Sequence, residues 1–199
     1  MKKEVKILGL SYSQSQSGSY VVVLSEKKGR RKLPIVIKSS DAQQIAIKIE
    51  GVKSPRPLTH DLFKSINDSY GIDIQEVYIY AILEGIFYTK LVTSNGIEEV
   101  EIECTAGDGI AISIVFDCPL YVSKEVLDIS GVNISDDGNN INNLEIEDID
   151  DYLEEEETPK RVVSIEDLEH MIEDAIGNEE YEIAAEIRDR IEKLKKENN

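Results

Sequence analysis

Residues 54 to 63 read SPRPLTHDLF, and they concentrate groups able to act on a phosphate ester. The Arg56 guanidinium suits a phosphate as a two-pronged ligand. The His60 imidazole is a general acid or base near neutral pH. Pro55 and Pro57 hold the chain extended and forbid helix just before them. Thr59 is therefore expected as the N-cap of a helix, with His60 and Asp61 at its first two positions. Such a helix start offers free N–H groups and partial positive charge to an anion. Helix entry alone accounts for Thr59 and Asp61, and leaves Arg56 and His60 over.

Two further carboxylates belong with these. Glu50 falls at the C-terminal end of a helical pattern, where the dipole disfavours it; it calls for a cation, with Lys53, Arg56 or a bound metal as candidates. Asp108 stands three residues after Thr105, a spacing close to a capping box, while Gly107 and Gly109 leave room around it for a ligand. Glu50, Asp61 and Asp108 are hard oxygen donors suited to Mg2+ or Mn2+; metal-free and metal-assisted chemistry both remain open. The basic turn Lys27, Lys28, Arg30, Arg31 and Lys32 either tracks a nucleic-acid backbone or is simply solvated.

The elements that must position these groups follow from hydrophobic periodicity. EVKILGLSYS, SYVVVLSE and RKLPIVIK read as strands. SSDAQQIAIKIEG reads as a helix capped by Ser39 or Ser40, with Ala42, Ile45, Ala46 and Ile49 on one face and Gly51 at its end. The helix after Thr59 carries Leu62, Phe63 and Ile66. IDIQEVYIYAILE, IFYTKLVTS and IEEVEIEC read as three strands, with turns at Gly85 and at the Asn-Gly pair in SNGI. TAGDGIAISIVFD is expected as a short buried helix, PLYV as a strand and SKEVLDIS as a last helical turn or two. The order βββααβββαβα predicts an α+β domain, a mixed sheet with helices packed on it.

Charge divides the 199-residue chain. Residues 1–133 hold 15 Lys+Arg against 17 Asp+Glu, and residues 134–199 hold 7 against 23, within a total of −18. The acidity opposes broad attraction to nucleic acid but leaves a local basic patch possible on the first part. Residues 134–160, rich in Asn, Asp and Glu, are expected as a flexible acidic linker, and 161–199 as a helical hairpin. No apolar run is long enough to span a membrane and no signal peptide is evident. Cys104 and Cys118 have neither zinc-site spacing nor a disulfide framework and read as buried reduced thiols of a cytosolic, hence cytoplasmic, protein.

The strings LPIVIKSSDAQQIAIKIEGVKSPRPLTHDLF and GDGIAISIVFDCPLYVSKEVL resemble the bacterial bifunctional nuclease domain over about residues 4 to 130. The Arg-Pro-Leu-Thr-His-Asp-Leu string at 56–62 is the specific part. The resemblance implies an α+β fold and hydrolysis of phosphodiester bonds in DNA and RNA, with catalytic positions at Glu50, His60, Asp61 and Asp108 and substrate contacts at Arg56 and Thr59. Lys28, Arg30 and Arg31 are added to the substrate contacts from the basic turn. Where the family commonly has Asp-Ala-Arg-Pro-Ser-Asp, this chain has ECTAGD, so Thr105 replaces an arginine; weaker, altered or absent activity is the corresponding expectation. NEEYEIAAEIRDRIEKL resembles the second helix of the UVR motif of excision-repair subunits B and C. Ser164 with Asp167 would cap the first helix, Gly177 with Asn178 would make the turn, and His170 would be a polar position. Tyr181, Ala184, Ala185, Ile187, Arg188, Ile191 and Leu194 would face either a protein partner or the hairpin's own first helix. A non-catalytic regulatory or adaptor protein docking through this tail is the alternative to a nuclease. The strand edges suggest a homo-oligomer.

Overall fold

The computed structural model describes residues 1–13, 18–52, 56–133 and 163–197. The expected linker, Lys53 and Pro55 lie outside them. Eight strands form one mixed sheet: β1 (Lys2–Tyr12), β2 (Ser19–Glu26), β3 (Arg31–Lys38), β4 (Asp73–Leu83), β5 (Ile86–Ser94), β6 (Glu99–Cys104), β7 (Leu120–Ser123) and β8 (Val132–Asn133). Their spatial order is β6-β5-β4-β7-β1-β2-β3-β8. Only β4 and β7 run parallel; the other neighbours are antiparallel. The short β8 was not anticipated. Its two residues pair with Arg31 and Lys32 alone, too short a run to leave a period in the sequence. The exposed edge strand β6 carries Glu99, Glu101 and Glu103 in alternation, a charged pattern that discourages edge-to-edge pairing.

The helices are α1 (Ser39–Ile49), α2 (Thr59–Tyr70), α3 (Ala106–Val115), α4 (Lys124–Ser130), α5 (Ile165–Gly177) and α6 (Tyr181–Glu197). Two starts differ from expectation. The N-cap of α1 is Lys38, with no side-chain cap, so Ser39 is already helical. The N-cap of α2 is Leu58, which puts Thr59, His60 and Asp61 in its first turn. In α2, an aspartate at the third helical position lets the helix begin one residue early. Asp61 Oδ2 accepts the Leu58 N–H at 3.2 Å, which fills an orphan donor from within the first turn.

Helix α3 is buried nearly all round, Ala106, Gly107, Gly109, Ile110, Ala111, Ile112 and Ser113 being inside, as expected of a uniformly apolar helix. Ser113 satisfies its hydroxyl by donating to the Ile110 carbonyl at 2.7 Å. Gly109 is where the helix comes closest to the sheet. A Cβ there would lie 2.8 Å from Thr89 Cγ2 and 3.0 Å from Val77 Cγ1. Gly109→Ala is therefore expected to overpack the core and cost about 1–3 kcal/mol, read as a lowered midpoint in urea unfolding.

The C-terminal pair α5–α6 joins the same core. Leu168, Met171, Ile187, Ile191 and Leu194 are buried with residues of β1–β4 and α1. Val163 bridges to Leu10 of β1. Ser164 and Asp167 form the expected capping box, and Asp167 also accepts the Tyr12 N–H at 2.9 Å. His170, expected as a plain polar position, stacks on Tyr12 with ring centroids 4.4 Å apart. Ala184, Ile187 and Ile191 thus face this chain's own core, while Tyr181 is 63% exposed. Among the described residues no helix is long and apolar enough to cross a membrane.

Candidate functional site

Strand β3 runs into α1 without a loop, so Asp41 is fixed at the third position of that helix, two residues beyond the N-cap's successor. Thr105 caps α3: its Oγ1 accepts the Asp108 N–H at 3.2 Å, and its hydroxyl donates to Asp108 Oδ2 at 2.8 Å. This fixes the Asp108 carboxylate and turns its second oxygen, Oδ1, toward His60, whose Nε2 is 3.6 Å away. The imidazole, in the first turn of α2, is 8% exposed, and its buried Nδ1 has no hydrogen-bond partner. Asp41 closes the cluster from the other side. Its Oδ2 lies 2.2 Å from where a Cβ on Gly107 would stand, so glycine at that position is what admits the carboxylate.

The first turns of α1, α2 and α3 therefore meet at Asp41, His60 and Asp108. Beside them opens a cleft of about 650 Å³, whose walls include Asp41, Thr105 and Gly107, Ile35–Lys38 of β3 and Phe87–Thr89 of β5. His60 and Asp108 are not among its lining residues; the cleft and the cluster share Asp41.

Burial, and after it the Asp108 charge, raise the Asp41 carboxyl above its ordinary value, against a hydrogen bond from Ser40 and the nearby Lys38 and His60. A proton is thus held more tightly in the folded than in the unfolded chain. The folded state loses stability as pH rises from the ordinary aspartate range through the raised folded value. Asp41→Asn should remove that loss, so above this window the variant is expected to melt higher than wild type, with the difference vanishing in acid. Thermal melts across pH check it. Stabilisation by removing a charged group is what a residue kept for chemistry rather than for folding predicts.

Of the other expected site residues, Asp61 is close in sequence but engaged elsewhere. Burial alone would raise its carboxyl, but a hydrogen bond from the Lys48 ammonium and the Leu58 N–H outweigh it and bring it below the ordinary range. Glu50, 5% exposed at its side chain, has its cation in the C-terminal helix: Arg190 Nε and Nη2 both donate to Glu50 Oε2 at 3.1 Å. Arg56 does not fill that place, and Lys53 lies outside the described residues. Glu50, Asp61 and Asp108 are each held by a different partner, and no group of three metal-binding side chains forms among the described residues. Arg56 is 82% exposed at its side chain, 4.0 Å from Glu182. Thr59 serves as the first residue of α2 rather than its cap. In the basic turn, Arg31 is drawn to Glu26 and Asp128 and Lys27 to Glu4, while Lys28 and Arg30 are exposed. That turn precedes β3 and Asp41 follows it, so an eight-residue strand, roughly 26 Å, separates the two. Cys104 and Cys118 are free, half-buried thiols, each pushed by burial to about 11.

Asp41 is the residue the sequence did not single out. A first-turn aspartate is ordinary helix chemistry, and only its contact with Gly107 and its nearness to Asp108 mark it.

Residues 22–135 match the model of the family described as "Bifunctional nuclease domain", and residues 163–197 match the "UvrB/uvrC motif". Two proteins of Mycobacterium tuberculosis, "Uncharacterized protein MT1877" of strain CDC 1551 / Oshkosh and "Uncharacterized protein Rv1829" of strain ATCC 25618 / H37Rv, are each 37% identical over 134 residues. The alignment covers 67% of this chain and 79% of theirs.

Proposed function

Because the chain belongs to the bifunctional nuclease domain family, we propose that it hydrolyses phosphodiester bonds in nucleic acid, DNA and RNA alike, at the cluster of Asp41, His60 and Asp108. The observation that carries this reading is the 3.6 Å approach of His60 Nε2 to an Asp108 carboxylate held by Thr105. The scissile phosphate rests against the first turns of α1, α2 and α3, whose N–H groups offset its charge. A water beside the His60–Asp108 pair gives its proton to the pair as its oxygen bonds to phosphorus, and the imidazole and carboxylate share the charge change. The bond from phosphorus to the leaving oxygen breaks, and Asp41, which keeps its proton to higher pH than an ordinary carboxyl, supplies that oxygen with a proton. Exchange with solvent restores the pair and Asp41.

A divalent cation remains part of the proposal. Mg2+ or Mn2+ would arrive with the nucleic-acid phosphates rather than reside on Glu50, Asp61 and Asp108, which are held apart. The test uses purified wild type and His60→Ala on single-stranded and duplex DNA and RNA, each with Mg2+, Mn2+ and EDTA. Cleavage by wild type and not by the variant is expected. Absence of cleavage by wild type in every arm, or equal cleavage by both proteins, overturns the reading. A non-catalytic adaptor is the second reading, favoured by the match of the tail to the UvrB/uvrC motif and by Thr105 standing where the family commonly has arginine. It predicts no hydrolysis by wild type and recovery of a protein partner that falls when exposed Tyr181 and Arg188 are replaced.

A further inference from the structure

We infer that the C-terminal helical pair is a clamp on α1, and that Asp174 and Arg190 are positioning residues for Asp41 at the far side of that helix; the functional half of this rests on the hydrolytic site proposed above. The two ends of α1 are held by side chains of the pair. At its start, the Ser39 hydroxyl donates to Asp174 Oδ2 at 2.7 Å, and the same oxygen takes the Tyr20 hydroxyl at 3.0 Å. Burial and the Asp174 carboxylate push the Tyr20 phenol far above its ordinary value, so it remains a donor. At the other end, Glu50 Oε2 takes both donors of Arg190. The helix between them has 11 residues and is roughly 16 Å long.

Lys38 supplies no side-chain cap to α1, so the polar anchorage of its first turn comes from Asp174 rather than from its own loop. Asp41 lies two residues beyond Ser39. With both ends fixed, α1 cannot rotate or slide, and its carboxylate stays over Gly107. Freed at its ends, the helix is held by Ala42, Ile45 and Ala46 against the core, contacts that tolerate small rotations. A displacement of about 1 Å in a reacting group costs on the order of a hundredfold in rate.

The apolar face of the pair, Leu168, Met171, Ile187, Ile191 and Leu194, is covered by this chain. A protein offering its own apolar helical face to those residues must lift the pair off α1 and release both anchors. Partner capture through that face and hydrolysis at Asp41 are then mutually exclusive.

The experiment is hydrogen exchange read by mass spectrometry on the full chain, for wild type, Ser39→Ala, Asp174→Ala, Arg190→Ala and Arg190→Lys. Amides of residues 42–50 should exchange about tenfold faster in Asp174→Ala and Arg190→Ala, less so in Ser39→Ala, with partial recovery in Arg190→Lys. In Ser39→Ala, amides of α3 should keep the wild-type rate. Hydrolysis should fall about tenfold in kcat with KM within twofold. Unchanged exchange over 42–50 in Ser39→Ala and Asp174→Ala overturns the clamp, whatever the activity. Faster exchange with unchanged kcat overturns the positioning of Asp41. If wild type shows no hydrolysis, the proposed function falls, while exchange still decides the clamp.

Discussion

Replacing His60 by glutamine is expected to lower the proposed phosphodiester hydrolysis by about two to four orders of magnitude, the range a positioned general acid or base supplies. Glutamine nearly preserves the side-chain volume in a site that is 8% exposed, so the fold should survive and the loss should appear in kcat. Asp108→Asn should have a smaller effect, about tenfold to a hundredfold. Asparagine can still accept the Thr105 hydroxyl, and its backbone N–H still donates to Thr105 Oγ1, but the side chain no longer offers His60 a charge. The double variant should be scarcely worse than His60→Gln, because Asp108 acts through the imidazole and such effects are not additive. Rates across pH for the four proteins check this. Retention of more than a tenth of wild-type activity by His60→Gln would remove the histidine from the chemistry.

The largest effect on stability is expected from Arg190→Ala. The Glu50 side chain is 5% exposed and Arg190 29% exposed, so truncating the arginine leaves a buried carboxylate without its cation. Losing one member of a buried pair costs about 3–5 kcal/mol. Solvent access on the Arg190 side puts the expected loss at the lower end, about 3 kcal/mol, or roughly 6–12 °C in Tm for a chain of this size. Glu50→Gln in the Arg190→Ala background should recover a large part, since the amide carries no charge to desolvate. A double-mutant cycle in urea measures the coupling. An Arg190→Ala loss below about 0.5 kcal/mol would mean that water replaces the guanidinium and that the pair contributes little.

The elements of this fold were legible wherever a residue's period or its immediate neighbours decide its place. Alternation gave β1 to β7, the Asn-Gly pair gave the β5–β6 turn through Asn95 and Gly96, and Thr105 with Asp108 announced the start of α3. Proximity across the chain was not legible. Glu50 visibly needed a cation, yet its partner stands 140 residues away, and no local pattern marks Arg190 among the charges of an amphipathic helix. Asp41 looked like any first-turn acid until Gly107 was seen beneath it. The apolar face of α6 was plain, but whether it met a partner or its own chain turns on the depth of the surface it covers, which periodicity does not carry. His60 and Asp108 were recognised singly; their approach depends on how two helix starts cross.

The anchors of α1 also set an order in time. Ser39 and Glu50 are made early, and the residues that hold them, Asp174 and Arg190, follow 135 and 140 positions later. At about 5–20 residues per second, the ribosome adds that stretch over roughly 7–28 s. Once Asp108 is made, the nascent sheet domain has its histidine and its carboxylates, but the helix that carries Asp41 has no brace until Asp174 and Arg190 follow. Bracing of the cluster therefore waits for α6, and the proposed hydrolytic site stays unbraced while the stretch between α1 and α6 is made.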